Sequence, residues 1–152
     1  MSNFITGKTL RELALGVKVE RATDNITTGE DLFTISGGRV MVTAIVGEVT
    51  TIMETKTINF KLVADPTTGT STDICANLDL SADEAGTLYT VAGNSSSTAM
   101  QRGESGSVPA QTSPFIVAAG AIEATVGATH TGSIKWMLFY IPIDDGASVA
   151  AA

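Results

Sequence analysis

The sequence has one cysteine, Cys75, and one histidine, His130. A lone cysteine excludes a disulfide within the chain; beside the apolar Ile74 it is expected as a small buried thiol. One cysteine and one histidine cannot build the nitrogen and sulfur ligand sets of a zinc centre. A Ser-His-Asp arrangement would have to use His130, yet the chain has no G-x-S-x-G elbow. The setting Ala128-Thr129-His130-Thr131-Gly132 reads as a turn between strands, so His130 is expected to face solvent. Aromatic residues make up 5% of the chain, too few to fill a core and also line a sugar-binding cleft.

Charge is scarce, and cations most of all. Charged residues are 16% of the chain, against about a quarter in an ordinary soluble domain. Nine Lys and Arg face sixteen Asp and Glu, for a net charge of -7. Between Asp65 and Glu84 lie the acids Asp73, Asp79 and Asp83 and no cation. Such a balance cannot displace counterions from phosphates, which argues against nucleic acid and anionic membrane surfaces as partners. No apolar run approaches the ~20 residues of a membrane-spanning helix. The opening segment, MSNFITGKTLRELALG, lacks the uninterrupted apolar stretch of a secretory signal, so the chain is expected to be made in a cytosol.

Motifs for cofactors are equally thin. Gly37-Gly38 is not followed by the Lys-Ser/Thr of a phosphate loop and precedes a strand pattern. Asp79, Asp83 and Glu84 crowd one turn and Asp144-Asp145-Gly146 another, but neither has EF-hand spacing. The expectation is a chain with no catalytic, cofactor-binding or metal-binding residues: not an enzyme.

What is present is strand pattern. A length of 152 residues predicts one domain, 1–152, large enough to bury a core without staples. Thr9-Leu10-Arg11-Glu12 has the form of a helix capping box, but Leu13, Leu15, Val17 and Val19 alternate with Ala14, Gly16, Lys18 and Glu20. The alternation favours a strand over about 13–22, with at most one helical turn before it. Strands follow at 32–35 and 39–46, where Gly47 reads as a bulge marker. The next, 56–64, alternates Ile58, Phe60, Leu62 and Ala64 with Thr57, Asn59 and Lys61, and is expected to pair with its predecessor as a hairpin. Shorter candidates lie at 74–80 and 86–92, and 115–118 with 121–126 reads as a small hairpin about Ala119-Gly120. Residues 93–107 are expected as a flexible loop and the small-residue acidic tail 144–152 as fraying or packing on a neighbour. Eight or nine closely spaced strands predict an all-β, antiparallel β-sandwich of jelly-roll-like winding.

The most distinctive segment is GSIKWMLFYIPIDDG, residues 132–146. Ile134, Trp136, Leu138 and Tyr140 share one face of a strand, and Met137, Phe139 and Ile141 the other. A strand apolar on both faces must be covered on both, by its own domain or by another subunit. Aromatic residues and Met are enriched in interface cores, which makes Trp136, Met137, Phe139 and Ile141 the candidates for a subunit contact.

Three blocks carry a resemblance: LFTISGGRVMVTAIVGEVTT (32–51), ADPTTGTSTDICANLDLSADEAGTLYTVAG (64–93) and GSIKWMLFYIPIDDGASVAA (132–151). In this order they resemble the small head proteins of tailed bacteriophages that act as capsid decoration, or cement, proteins. The resemblance implies a structural virion protein, made in the host bacterial cytoplasm, that binds the outer surface of the mature capsid. It implies the phage major capsid protein as partner and a homo-oligomer, a trimer in the first instance. Another head or tail accessory role, such as a head-fibre base or tail-tube-like subunit, is the alternative, and a glycan-binding jelly roll a more distant one.

Overall fold

The computed structural model describes residues 5–152; the first four residues of the expected domain lie outside the described residues. One helix, α1 (Gly7–Leu15), precedes twelve strands among the described residues. They are β1 (Val17–Asp24), β2 (Glu30–Ser36), β3 (Val40–Thr51), β4 (Asn59–Pro66), β5 (Thr72–Asp73), β6 (Leu78–Asp79), β7 (Leu88–Thr90), β8 (Gln101–Gly103), β9 (Phe115–Val117), β10 (Gly120–Val126), β11 (Ser133–Pro142) and β12 (Ser148–Ala151).

Two antiparallel sheets face each other, in the orders β1-β11-β3-β7-β8 and β12-β2-β10-β4-β5. β9 also pairs with β3, and β6 with β4. The four strands β1-β11-β3-β7 opposite β2-β10-β4-β5 have the winding of a jelly roll, in which the chain crosses between sheets at almost every step. The fold class is therefore an all-β sandwich, as its alternating patterns predict. The strand count is twelve, not eight or nine. The additions are β5 and β8, of two and three residues and too short to leave a period of two in the sequence, and β12 in the expected tail.

The pairings differ from the expected hairpins. β4 does not pair with β3; it lies in the opposite sheet beside β10. β9 and β10 likewise separate, β9 joining β3 and β10 joining β2 and β4. Closeness in sequence favours a hairpin, but each segment has one apolar face, and the crossing lets both faces meet in a shared core. The N-terminal alternation also misleads: residues 7–15 are helical, with Thr6 as N-cap accepting from the Thr9 backbone N–H at 3.1 Å. Gly16, at φ +88°, ends the helix and starts β1.

Inward residues of both sheets fill the core. Trp136 stands at its centre, stacked on Phe60 at 5.7 Å and Tyr89 at 6.4 Å between ring centroids. Each such pair adds about 0.5–1.5 kcal/mol beyond area burial. Gly47 is not a bulge: it sits opposite Trp136 in regular register, and the absence of a side chain lets the indole lie against it. The shifts in the β3–β11 register fall at Thr43 and Thr50 instead. A third shift, at Leu32 in β2, turns both Leu32 and Phe33 into the core.

Neither chain segment expected to be loose is without pairing. The 93–107 stretch contains β8, which pairs with β7. The tail forms β12, antiparallel to β2, with Val149 buried.

Candidate interaction surface

The residues with chemical potential are used in holding the fold. Cys75 is buried, and burial pushes its thiol pKa up; its Sγ accepts the Leu62 N–H at 3.4 Å. His130 is buried as well, contrary to the exposed turn expected of it. The segment around the fully buried Ile26 folds over the ring. His130 Nε2 donates to the Ile26 carbonyl at 2.9 Å, which leaves Nδ1 to accept from the Asn25 amide at 3.3 Å. Asn25 in turn donates to the His130 and Gly132 carbonyls at 2.6 and 2.7 Å. The group ties two loops together and presents no nucleophile–base pair.

The acidic turns are likewise occupied. Asp79 accepts the backbone N–H groups of Ile58 and Ser81 through one oxygen, at 2.8 and 3.1 Å. Asp83, buried, accepts from Tyr89 at 2.5 Å and from Arg102 at 3.0 Å. Burial, then the hydrogen bond to Asp83, pushes the Tyr89 phenol far above its usual range. Asp144 accepts the Arg39 backbone N–H at 2.7 Å and both arms of its guanidinium at 2.9 and 2.7 Å. Among the described residues no group of three or more His, Cys, Asp or Glu could hold a metal ion. Arg21 carries no expectation from composition, yet it is buried opposite Trp136, where it meets Glu30 and, at 3.4 Å, Asp24. The period of two through Val17, Val19 and Arg21 is the signal that places it inward.

The four residues expected at a subunit contact divide. Trp136 is entirely buried inside the sandwich and offers no surface. Phe139 lies on the outer face of its sheet but is covered by the chain itself: Leu15 and the Val108–Gln111 stretch line the space around it. The Thr43 hydroxyl, at a register shift, donates to the Leu15 carbonyl and holds the end of α1 there. Met137 remains half-buried and Ile141 exposed. The inner apolar face of β11 is thus buried in the core and Phe139 lies under this cover, while Ile141 stays in solvent.

The exposed apolar surface lies elsewhere. Nothing in α1 is buried. Arg11 and Leu15 turn toward the body, whereas Leu10 and Leu13 point to solvent with 60% and 72% of their surface exposed. Leu10 and Leu13 are three apart on the helix and share a face. α1 contacts β11, and at the end of that strand Ile141 and Ile143 are also exposed. A helix in water with its leucines outward is missing the surface it should cover. Sequence reasoning missed this face because it assigned Leu13 and Leu15 to a strand; the three-residue spacing of Leu10 and Leu13 was the available signal.

Opposite this edge, Asp65, Asp73, Ile74, Phe115, Ile116 and Val117 help line a cleft of about 450 Å³. Apolar side chains, hydroxyls and carboxylates share its lining; Asp73 is paired with Lys61 at 2.8 Å and Asp65 accepts from Ser71 at 2.5 Å. On the neighbouring outer face, desolvation and the carboxylates of Asp65 and Asp31 raise the pKa of Glu123.

Comparison with protein-family models, with curated proteins and with solved structures gives no match. The class defined by fold and surface is a jelly-roll sandwich with an unpartnered apolar edge.

Proposed function

We propose that this chain is a structural virion protein that binds the outer surface of the mature phage capsid and stabilises it. The observation that carries the reading is the division of its surface. Its histidine, its cysteine and the acids Asp79, Asp83 and Asp144 are spent on internal hydrogen bonds and ion pairs, while Leu10 and Leu13 of α1 and Ile141 and Ile143 at the end of β11 are exposed. That distribution suits assembly better than turnover. The three-block resemblance supplies the assembly: a phage head, with the major capsid protein as partner and the host cytoplasm as the place of synthesis.

The physics of such a role is simple. A protein that binds the expanded shell and not its precursor stabilises the expanded form by mass action. Many copies on a symmetric lattice add avidity, so each contact can be weak. The net charge of -7 keeps the free protein soluble until it assembles.

Co-sedimentation of the purified protein with matched phage heads, expanded and unexpanded, tests the reading. Saturable binding to expanded heads alone is expected. Absence of binding to either form overturns it, and formation of rings or tubes in electron micrographs would turn the assignment to a tail or fibre subunit.

A further inference from the structure

We propose that residues 25–27 form a latch that protonation of His130 releases. The latch lies on the connection from β1 to β2, where the chain passes from one sheet to the other. Ile26 is fully buried there, and its carbonyl accepts from Nε2 of His130 at 2.9 Å. A carbonyl only accepts, so Nε2 carries the hydrogen and Nδ1 of the neutral ring is bare. Asn25 closes the other side of the ring. Its amide nitrogen stands 2.6 and 2.7 Å from the carbonyls of His130 and Gly132, and 3.3 Å from Nδ1. The two carbonyls fix that orientation, because a reversed amide would set its oxygen against both.

This arrangement accepts one protonation state of the ring. The Asn25 amide has two hydrogens, and the two short carbonyl bonds use them, sharing one with Nδ1 over the longer distance. A proton added to Nδ1 would point at a nitrogen that is itself a donor. His130 is only 7% exposed, which leaves little access for water as a substitute acceptor. A buried donor without an acceptor costs free energy that an open segment recovers in solvent. The open form therefore binds the proton more readily than the closed one. Closure is fully present above the free-imidazole pKa of about 6.5 and declines as pH falls below it.

The charged groups of the surrounding elements are engaged elsewhere. The space beside the ring, about 300 Å³, is lined by residues 25–28 and 126–130, and His130 is the only titratable side chain among them. At the end of β1, Asp24 accepts the Asn25 N–H at 2.8 Å and meets Arg21 at 3.4 Å. At the start of β2, Glu30 pairs with Arg21 and accepts the Thr27 N–H at 2.8 Å. The one titratable side chain of β10, Glu123, lies on the outer face of its sheet. Beyond β3, Glu54 pairs with Lys56 at 2.6 Å, and on β11 Lys135 reaches Glu20 at 3.5 Å. The rest of the connection is tied to β10 without the ring: Thr28 Oγ1 accepts the Val126 N–H at 3.2 Å, and the Gly29 N–H donates to the Ala124 carbonyl at 2.9 Å. Release is thus confined to residues 25–27. The inference goes beyond the capsid reading and does not depend on it.

The test is amide hydrogen exchange of the full chain by NMR at about pH 7.5 and about pH 5.5, corrected for the intrinsic pH dependence of exchange. That interval brackets the free-imidazole value and lies above the about 3.9–4.3 of free carboxyls. Protection of Asn25, Ile26 and Thr27 is expected to fall about tenfold, the linkage factor for one imidazole protonated only in the open form. The β3–β11 ladder should keep its protection. The chain has one histidine, so its ring signals are assigned without variants, and ring protonation should coincide with the loss of protection. His130→Gln offers the Ile26 carbonyl an N–H and gains no charge, so it should abolish the fall; a change driven by a carboxylate would persist in it. Equal protection of residues 25–27 at the two pH values overturns the proposal, whether or not the ring takes up its proton. So does a fall retained in His130→Gln, or one that is the same in every strand. The exchange and ring titration of wild type decide the matter by themselves if the variant does not fold.

Discussion

A methyl group placed on Gly47 would sit 2.8 Å from Cζ3 and 2.9 Å from Cη2 of Trp136, a side chain already held between Phe60 and Tyr89. Gly47→Ala should therefore destabilise the fold by about 1–3 kcal/mol, the range for overpacking a core. Urea denaturation followed by tryptophan fluorescence measures it. The acids make a second, opposed pair of expectations. The hydrogen bonds from the Arg39 guanidinium and backbone N–H hold the Asp144 carboxyl well below the usual carboxylate range. A depressed folded pKa stabilises at pH values above the unfolded pKa of about 3.9 and loses that contribution as pH falls toward the folded value. Asp144→Asn should thus melt below wild type at neutral pH, and the gap should narrow below about pH 4. Glu123 has the reverse sign: its raised pKa means that ionisation costs more in the folded state than in the unfolded chain. Glu123→Gln should melt above wild type at neutral pH and lose the advantage in acid. A melting series across pH with both variants decides each.

At the scale of elements, β12 is the one whose role contradicts its composition. Ser148–Ala151 looks like a fraying tail, yet it pairs with β2 from Ser36 to Phe33 and buries Val149. A chain ended after Ala147 loses at least the roughly 1.5–3 kcal/mol of one buried aliphatic side chain. It also leaves the edge of β2 bare, and an unprotected edge recruits other chains. Lower urea midpoints and concentration-dependent light scattering are expected together. The neighbouring edge strand of the other sheet, β1, is guarded by charge: Lys18 pairs with Glu20 at 3.0 Å, and Lys135 reaches the same carboxylate at 3.5 Å. The helix illustrates a different failure of local reading. Apolar residues at 13, 15, 17 and 19 have the period of a strand, and only the positive φ of Gly16 breaks the segment into helix and strand. Period alone cannot show where one conformation yields to another.

At the scale of the molecule, both sheets meet through Trp136, so secondary structure and core packing should be lost together. Far-ultraviolet circular dichroism and tryptophan fluorescence are expected to give coincident unfolding curves, and separated midpoints would show a sandwich that opens in stages. The sequence by itself determined the class of fold: period-two alternation, Thr-rich strands and frequent turn residues leave few solutions other than two packed antiparallel sheets. It also determined the buried character of Cys75 and of the Trp136 face, because apolar spacing fixes which side chains share a surface. Only the tertiary structure decided which strands pair. Each strand offers the same backbone donors and acceptors to any neighbour, and the choice between a local hairpin and a crossing to the far sheet depends on how all the apolar faces fit into one core. It alone placed His130 under the Ile26 segment, covered Phe139 with the Val108–Gln111 stretch, and turned Leu10 and Leu13 outward. Exposure belongs to the arrangement of distant segments, and no local pattern of residues encodes it.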